Sequence, residues 1–194
     1  MESEFSIYLG LGFDHILDIN GYDHILFVIA LCAIYQISEW KKVAILATSF
    51  TFGHSITLAL SALDLVSVDS ALIEFLIPLT ILLTALYNVY NRRSSYVSIS
   101  IKYSLAVFFG LIHGMGFSNF FRSAAIPGID EGFITQLLAF NLGVELGQLI
   151  IIAFILGLTY VFLEIIKVKV REWNLFISGA TAGLSIAMII ERIP

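Results

Sequence analysis

The 194-residue chain has few charged residues and a single cysteine. Only 13% of its residues are Asp, Glu, Lys or Arg and 59% are hydrophobic, whereas a soluble domain usually carries about 25% charged residues. So little charge cannot cover a surface in water, which predicts an all-α integral membrane protein. Cys32 lies inside an apolar run, which excludes a disulfide framework and a thiolate metal site.

Other missing features narrow the function further. The net charge of −5 and the pI near 5.2 leave no basic surface for nucleic acid. The chain has no Gly-rich phosphate-binding loop, so we expect no ATP-binding domain on it. The amino-terminal sequence MESEFSIYLG lacks the basic region of a cleaved signal peptide, so we expect the first membrane helix to direct insertion.

Long apolar runs predict one transmembrane domain over residues 1–194 with six membrane-spanning helices. The predicted spans cover approximately residues 22–38, 42–63, 71–90, 102–121, 133–164 and 174–191. Residues 5–17 are apolar but too short to cross a membrane, which predicts an interfacial or re-entrant segment.

The basic residues predict the orientation of these helices. Most of them fall in or beside alternate connections: Lys41, Lys42, Arg92, Arg93, Lys102, Lys167, Lys169 and Arg171. The positive-inside rule therefore predicts that both termini face the outer, periplasmic side of a bacterial inner membrane.

All four histidines, His15, His24, His54 and His113, fall between the predicted outer surface and the middle of the membrane. A single intramembrane histidine often serves only as a hydrogen-bond partner between helices. Ionisable groups inside a bilayer cost several kcal/mol each, so a set of them indicates a substrate path or a proton relay.

Polar residues also follow one face of two predicted helices. Asn141, Glu145 and Gln148 form an i, i+4, i+7 stripe on the fifth span, and Thr51 and Ser55 share a face beside His54. Such a stripe predicts a polar seam or the lining of a lumen.

Two pairs of glycines have the four-residue spacing that allows close packing of helices. Gly110 and Gly114 flank His113, and Gly143 and Gly147 lie on the fifth span. They predict close helix contacts, either within the chain or in a homo-oligomer.

The ligand chemistry favours a divalent transition metal. Imidazole, carboxylate and amide groups suit Ni²⁺, Co²⁺ or Zn²⁺, whereas Ca²⁺ and Mg²⁺ prefer mostly oxygen ligands. Met115 near His113 leaves copper open. The candidate metal ligands are Asp23, His24, His54, His113, Asn141 and Glu145, and the candidate vestibule residues are Asp14 and His15. Thr51, Ser55 and Gln148 are candidate supporting groups.

The phrase GFDHIL at residues 12–17 returns as GYDHIL at residues 21–26. Nine residues of continuous helix, at about 100° per residue, would place the two Asp-His pairs about 180° apart, so they could not share a face. Asp18, Asn20 and Gly21 predict a break that lets the first pair fold back over the second. We therefore expect His24 to be a ligand and His15 to be a lid or entrance residue.

Several motifs together resemble the HupE/UreJ family. They are GYDHILFVIAL (21–31), TSFTFGHSITLAL (48–60), FGLIHGMGF (109–117) and FNLGVELGQL (140–149), with Trp40 before two lysines and the Ile-Glu pair at 73–74. That family comprises small membrane proteins associated with hydrogenase and urease clusters and regarded as nickel or cobalt permeases. The resemblance implies metal-ion transport and not an enzyme.

Three other functions fit the same residues. A His/Glu-bound metal could serve a membrane metalloenzyme, and histidines on facing helices could bind haem. A channel for a non-metal solute could use histidine protonation as its gate.

Overall fold

The computed structural model of the protein describes residues 3–90, 99–124 and 132–192, which form seven α-helices and contain no β-strand. The helices are α1 (Glu4–Leu17), α2 (Asp23–Cys32), α3 (Trp40–Ala62), α4 (Ser70–Tyr90), α5 (Ile99–Ala124), α6 (Phe133–Tyr160) and α7 (Val170–Arg192). A 3-10 turn at Ile37–Glu39 precedes α3, and a π-helical turn at Val161–Ile165 extends α6. The connections at 91–98, with Arg92 and Arg93, and at 125–131 lie outside the described residues.

Five helices, α3 to α7, are long and apolar enough to cross a membrane. Each coincides with one of the last five predicted spans. Many of their aliphatic and aromatic side chains are exposed, for example Phe154 on α6 and Phe176 on α7. Apolar exposure on this scale suits lipid as the solvent, and the chain is an integral membrane protein.

The first predicted span, 22–38, differs from the structure. Its helix, α2, has only 10 residues and ends at Cys32. Ten residues of α-helix extend about 15 Å, half of a hydrocarbon core of about 30 Å. The amide of Asn88 on α4 donates to the carbonyl of Ala30, which is in the last turn of α2. Residues 5–17, predicted as an interfacial or re-entrant segment, belong to the regular helix α1.

Helix α1 packs along α6, and the two helices run in the same direction. The side-chain amide of Gln136, near the start of α6, donates a hydrogen bond to the carboxylate of Glu4. Gly147, at the middle of α6, packs against Ile16. A Cβ atom on Gly143 would collide with the backbone of Leu9. The predicted close contact at the α6 glycines is therefore made within the chain, against α1.

Helices α3 and α5 make the second close pair. Added Cβ atoms on Gly110 and Gly114 would collide with the backbone of α3 at Phe50 and His54, so neither position has room for alanine. This contact fixes His54 and His113 on adjacent parallel helices at a similar depth.

Helix α4 is held against α7 at both ends. Pro78 has no N–H, which removes the helical hydrogen bond to the carbonyl of Glu74. The guanidinium of Arg192 donates to that carbonyl instead. At the other end, the amide of Asn174 donates to the backbone carbonyl of Asn88.

Candidate metal centre

The break between α1 and α2 brings the two Asp-His motifs together. Residues 18–22 lie outside both helices, and a side-chain oxygen of Asp18 accepts the backbone N–H of Asn20 in a tight turn. The chain folds back as the sequence predicts, and the ring centres of His15 and His24 are 4.5 Å apart.

Three histidines from three helices converge beside this break. The ring of His54 on α3 lies 6.0 Å from that of His15 and 6.1 Å from that of His24. One nitrogen from each ring can be chosen so that all three lie within 4.8 Å of one another. Two nitrogens that bind one ion at about 2.1 Å are at most about 4.2 Å apart, so small ring movements would complete a three-nitrogen site.

Asp23 sets the tautomer of His24. Its carboxylate lies 2.9 Å from Nδ1 of His24 and also accepts the backbone N–H of that residue. Because the carboxylate is an acceptor, Nδ1 carries the hydrogen and Nε2 keeps its lone pair. This is the carboxylate–imidazole arrangement that orients metal ligands and raises their basicity.

Thr80 on α4 sets the tautomer of His113. The hydroxyl of Thr80 donates to the carbonyl of Ile77, so its single hydrogen is used there. The oxygen of Thr80, 3.1 Å from Nε2 of His113, must therefore act as the acceptor of that contact. Nδ1 of His113 then keeps its lone pair, and the ring lies 5.3 Å from His24.

Each of the four histidines thus presents a buried ring nitrogen with no hydrogen-bond partner in the described part of the chain: Nε2 of His15 and His24, both nitrogens of His54, and Nδ1 of His113. Buried polar atoms are nearly always satisfied, so several orphaned lone pairs in one cluster need an explanation. A bound cation would satisfy them, and imidazole nitrogens suit divalent transition metals.

Aromatic rings enclose the cluster on two sides. Phe117 lies 3.8 Å from the ring of His15, and Phe140 stacks on His54. On the other side, Phe27 and Phe50 contact His113 at 5.3 and 5.0 Å between ring centres. These walls exclude water, which strengthens the electrostatic attraction between an ion and its ligands.

Two residues of the polar stripe of α6, Glu145 and Gln148, make a seam with α3 rather than joining the histidines. The hydroxyl of Thr48 donates to Glu145, and the hydroxyl of Thr51 donates to the side-chain oxygen of Gln148. Ser55 donates to the backbone carbonyl of Thr51. Glu145 is therefore engaged away from the three-histidine group.

The remaining candidates are placed differently. Asn141 follows Phe140 on α6 and donates to the carbonyl of Leu137, and its buried side-chain oxygen lies next to His54. Asp14 is exposed on α1. His15, expected as a lid, lies with His24 and His54 in the group whose ligand atoms converge.

Sequence reasoning missed Thr80 and the four phenylalanines. Their side chains resemble those of any apolar helix, and only the packing of α4 and α5 shows that Thr80 faces His113. No local pattern in the sequence carries that information.

The family described as HupE / UreJ protein matches residues 1–192 of the chain. No curated protein and no solved structure matches it.

Proposed function

The chain belongs to the HupE/UreJ family, and from that premise we propose that it transports a divalent transition-metal ion, nickel or cobalt in preference, across a bacterial inner membrane. The observation that carries the proposal is the convergence of His15, His24 and His54 from three helices, with buried and unpartnered ring nitrogens. His113 is the fourth ligand in this proposal.

We propose that the chain crosses the membrane six times and that α1 and α2 together form the first crossing. They extend about 21 Å and about 15 Å, and their sum exceeds a hydrocarbon core of about 30 Å. Helix α1 follows α6 in direction, and α2 continues toward the lysine-rich end, where Ala30 meets Asn88. Both termini then face the outer side, as the positive-inside rule predicts.

This arrangement puts the histidines at a helix break near the middle of the bundle. His54 and His113 lie close to the middle of α3 and α5, and His15 and His24 flank the break. Discontinuous helices are the usual location of ion sites in transporters, because the broken backbone and its neighbours can hold a charge inside the membrane.

The route from the outer side passes along α1 in this proposal. Asp14, Asp18 and Asn20 are exposed, and Ile19 is 80% exposed. Irregular backbone at membrane depth does not face lipid, so this surface lines water. Asp14 and Asp18, four residues apart on one face, would attract a cation toward His15.

Transport fits the site better than catalysis. Asp23 is engaged by His24 and is not free to act as a general base for a metal-bound water. Imidazole ligands suit nickel, cobalt, zinc and copper, and our preference for nickel or cobalt rests on the family.

Calorimetric titration of the purified protein with Ni²⁺ and Co²⁺ tests the proposal. We expect one ion per chain, and loss of that binding in His24→Ala and His54→Ala. Ser178→Ala, which removes a buried hydroxyl on α7, is the matched control and should bind normally. Normal binding in both histidine variants would refute the site, and a visible haem spectrum would favour the haem-binding alternative.

A further inference from the structure

A cavity of about 430 Å³ lies on the lysine-rich side of the histidines, between α2, α3, α4 and α5. Its walls are almost entirely apolar and include Leu31, Leu46, Leu83, Leu105, Ala106 and Phe109. Leu83, Leu105 and Phe108 are about half exposed, so the cavity opens sideways between α4 and α5. In a membrane this opening faces the acyl chains of the bilayer.

The cavity is polar at one end only. Lys102 and Tyr35 line the end near the start of α5, and the ammonium of Lys102 lies 5.6 Å from the ring centre of Tyr35. Phe109 lines the other end, seven residues further along α5, a rise of about 10 Å. The charged end is at the level where Lys41 and Lys42 begin α3, and the apolar end points to the middle of the bundle.

The chemistry of this cavity argues against a second ion site. A buried cation, Lys102, would repel a divalent metal, and hydrocarbon walls offer it no ligands. The ring of Phe27 also packs between Phe109 and His113, at 6.1 and 5.3 Å between ring centres. The cavity is therefore separated from the metal centre.

We propose that this cavity binds an anionic phospholipid, with one acyl chain between α4 and α5 and the phosphate at Lys102. A lipid matches each feature: a lateral opening, an apolar channel that runs toward the middle of the membrane, and a cation at headgroup level. Basic sites between membrane helices select anionic headgroups in this way. The proposal does not depend on metal transport.

Native mass spectrometry in a neutral detergent tests the proposal, with phosphatidylglycerol and phosphatidylcholine of identical acyl chains as probes. We expect the wild-type chain to retain phosphatidylglycerol at least about fivefold better, the effect of one lysine at an anionic membrane surface. Lys102→Met removes the charge but keeps an apolar stem, and should bring the ratio close to one. Lys102→Arg should preserve the preference.

Two further variants distinguish a specific lipid-binding site from non-specific contact with lipid. Lys169→Met removes an exposed lysine that pairs with Glu172, and it should leave the preference unchanged. Ala106→Leu narrows the cavity and should lower retention of both lipids. The unfolding midpoint in detergent verifies that each variant is folded. Equal retention of the two lipids by the wild type, equal effects of Lys102→Met and Lys169→Met, or full retention in Ala106→Leu would overturn the proposal.

Discussion

The carboxylate of Asp23 accepts a hydrogen bond from the ring of the next residue, His24, at 2.9 Å from Nδ1. The pair lies in the first turn of α2, immediately after the break, so one short stretch of chain supplies both a proposed ligand and the group that orients it. The bond leaves Nε2 of His24 facing the other histidines with its lone pair available. In the proposed site, Asp23 would act through His24 rather than on the ion itself.

Asp23→Ala is expected to weaken Ni²⁺ binding by about 10- to 100-fold, the usual cost of removing a group that orients a metal ligand. His24→Ala should cost more, because it removes the ligand. Calorimetric titration measures both, with Glu172→Ala at an exposed position as the control. Unchanged affinity in Asp23→Ala would contradict the orienting role, and so would a loss as large as that of His24→Ala.

Thr80→Val tests the corresponding role at His113. Valine keeps the shape of threonine but removes the oxygen that accepts the hydrogen of Nε2, so the ring loses its preferred tautomer. We expect an affinity loss of about 10-fold or more by the same titration. Thr84→Val is the control, because the hydroxyl of Thr84 bonds only to the carbonyl of Thr80 among the contacts described for it. Equal effects of the two variants would show that Thr80 is structural.

Gly110→Ala tests the contact between α3 and α5. The added methyl group would collide with the backbone of α3 at Phe50, and backbone cannot move aside as a side chain can. Overpacking costs about 1–3 kcal/mol, so a lower unfolding midpoint in detergent is expected. Gly179→Ala on α7 places its methyl group in open space and should be neutral or slightly stabilising. An unchanged unfolding midpoint in Gly110→Ala would contradict the close contact between the backbones of the two helices.

The proposed water-lined route predicts which cysteines a charged thiol reagent reaches. In a Cys32→Ala background, Asp18→Cys and Asn20→Cys should react with a membrane-impermeant methanethiosulfonate added from outside. Leu184→Cys, an exposed position on α7 that faces lipid in our arrangement, should not react. Thiol reaction needs the thiolate, which forms in water and not in hydrocarbon. Protection of Asp18→Cys and Asn20→Cys would place the break against lipid or another protein surface and refute the route.

The sequence predicts the long helices well and the first crossing poorly. Runs of about 20 apolar residues identify α3 to α7, because lipid imposes that length on any spanning helix. The end of α2 at Cys32 has no Gly or Pro to mark it. Its last turn instead receives a hydrogen bond at Ala30 from Asn88, which lies 58 residues after Ala30 in the chain. Such a contact cannot be read from the local sequence.

The sequence also predicts the candidate site only in part. The residue types and their depth in the predicted spans identify the four histidines as site residues. Asp18, Asn20 and Gly21 indicate the break between the first two helices. The rotation of α6 against α3 decides whether Glu145 faces the histidines or the hydroxyl of Thr48. The sequence stripe is the same for either rotation, so it does not predict which one forms. The position of His15 beside His24 depends on the path of residues 18–22 in three dimensions.

Flux of Ni²⁺ or Co²⁺ into proteoliposomes is the most direct test of the central claim that His54 and its neighbours hold the transported ion. The account predicts saturable uptake by the wild-type chain, none above empty liposomes for His54→Ala, and normal uptake for the folded control Ser178→Ala. Uptake by His54→Ala at the wild-type rate, with the variant shown to be folded, would contradict it.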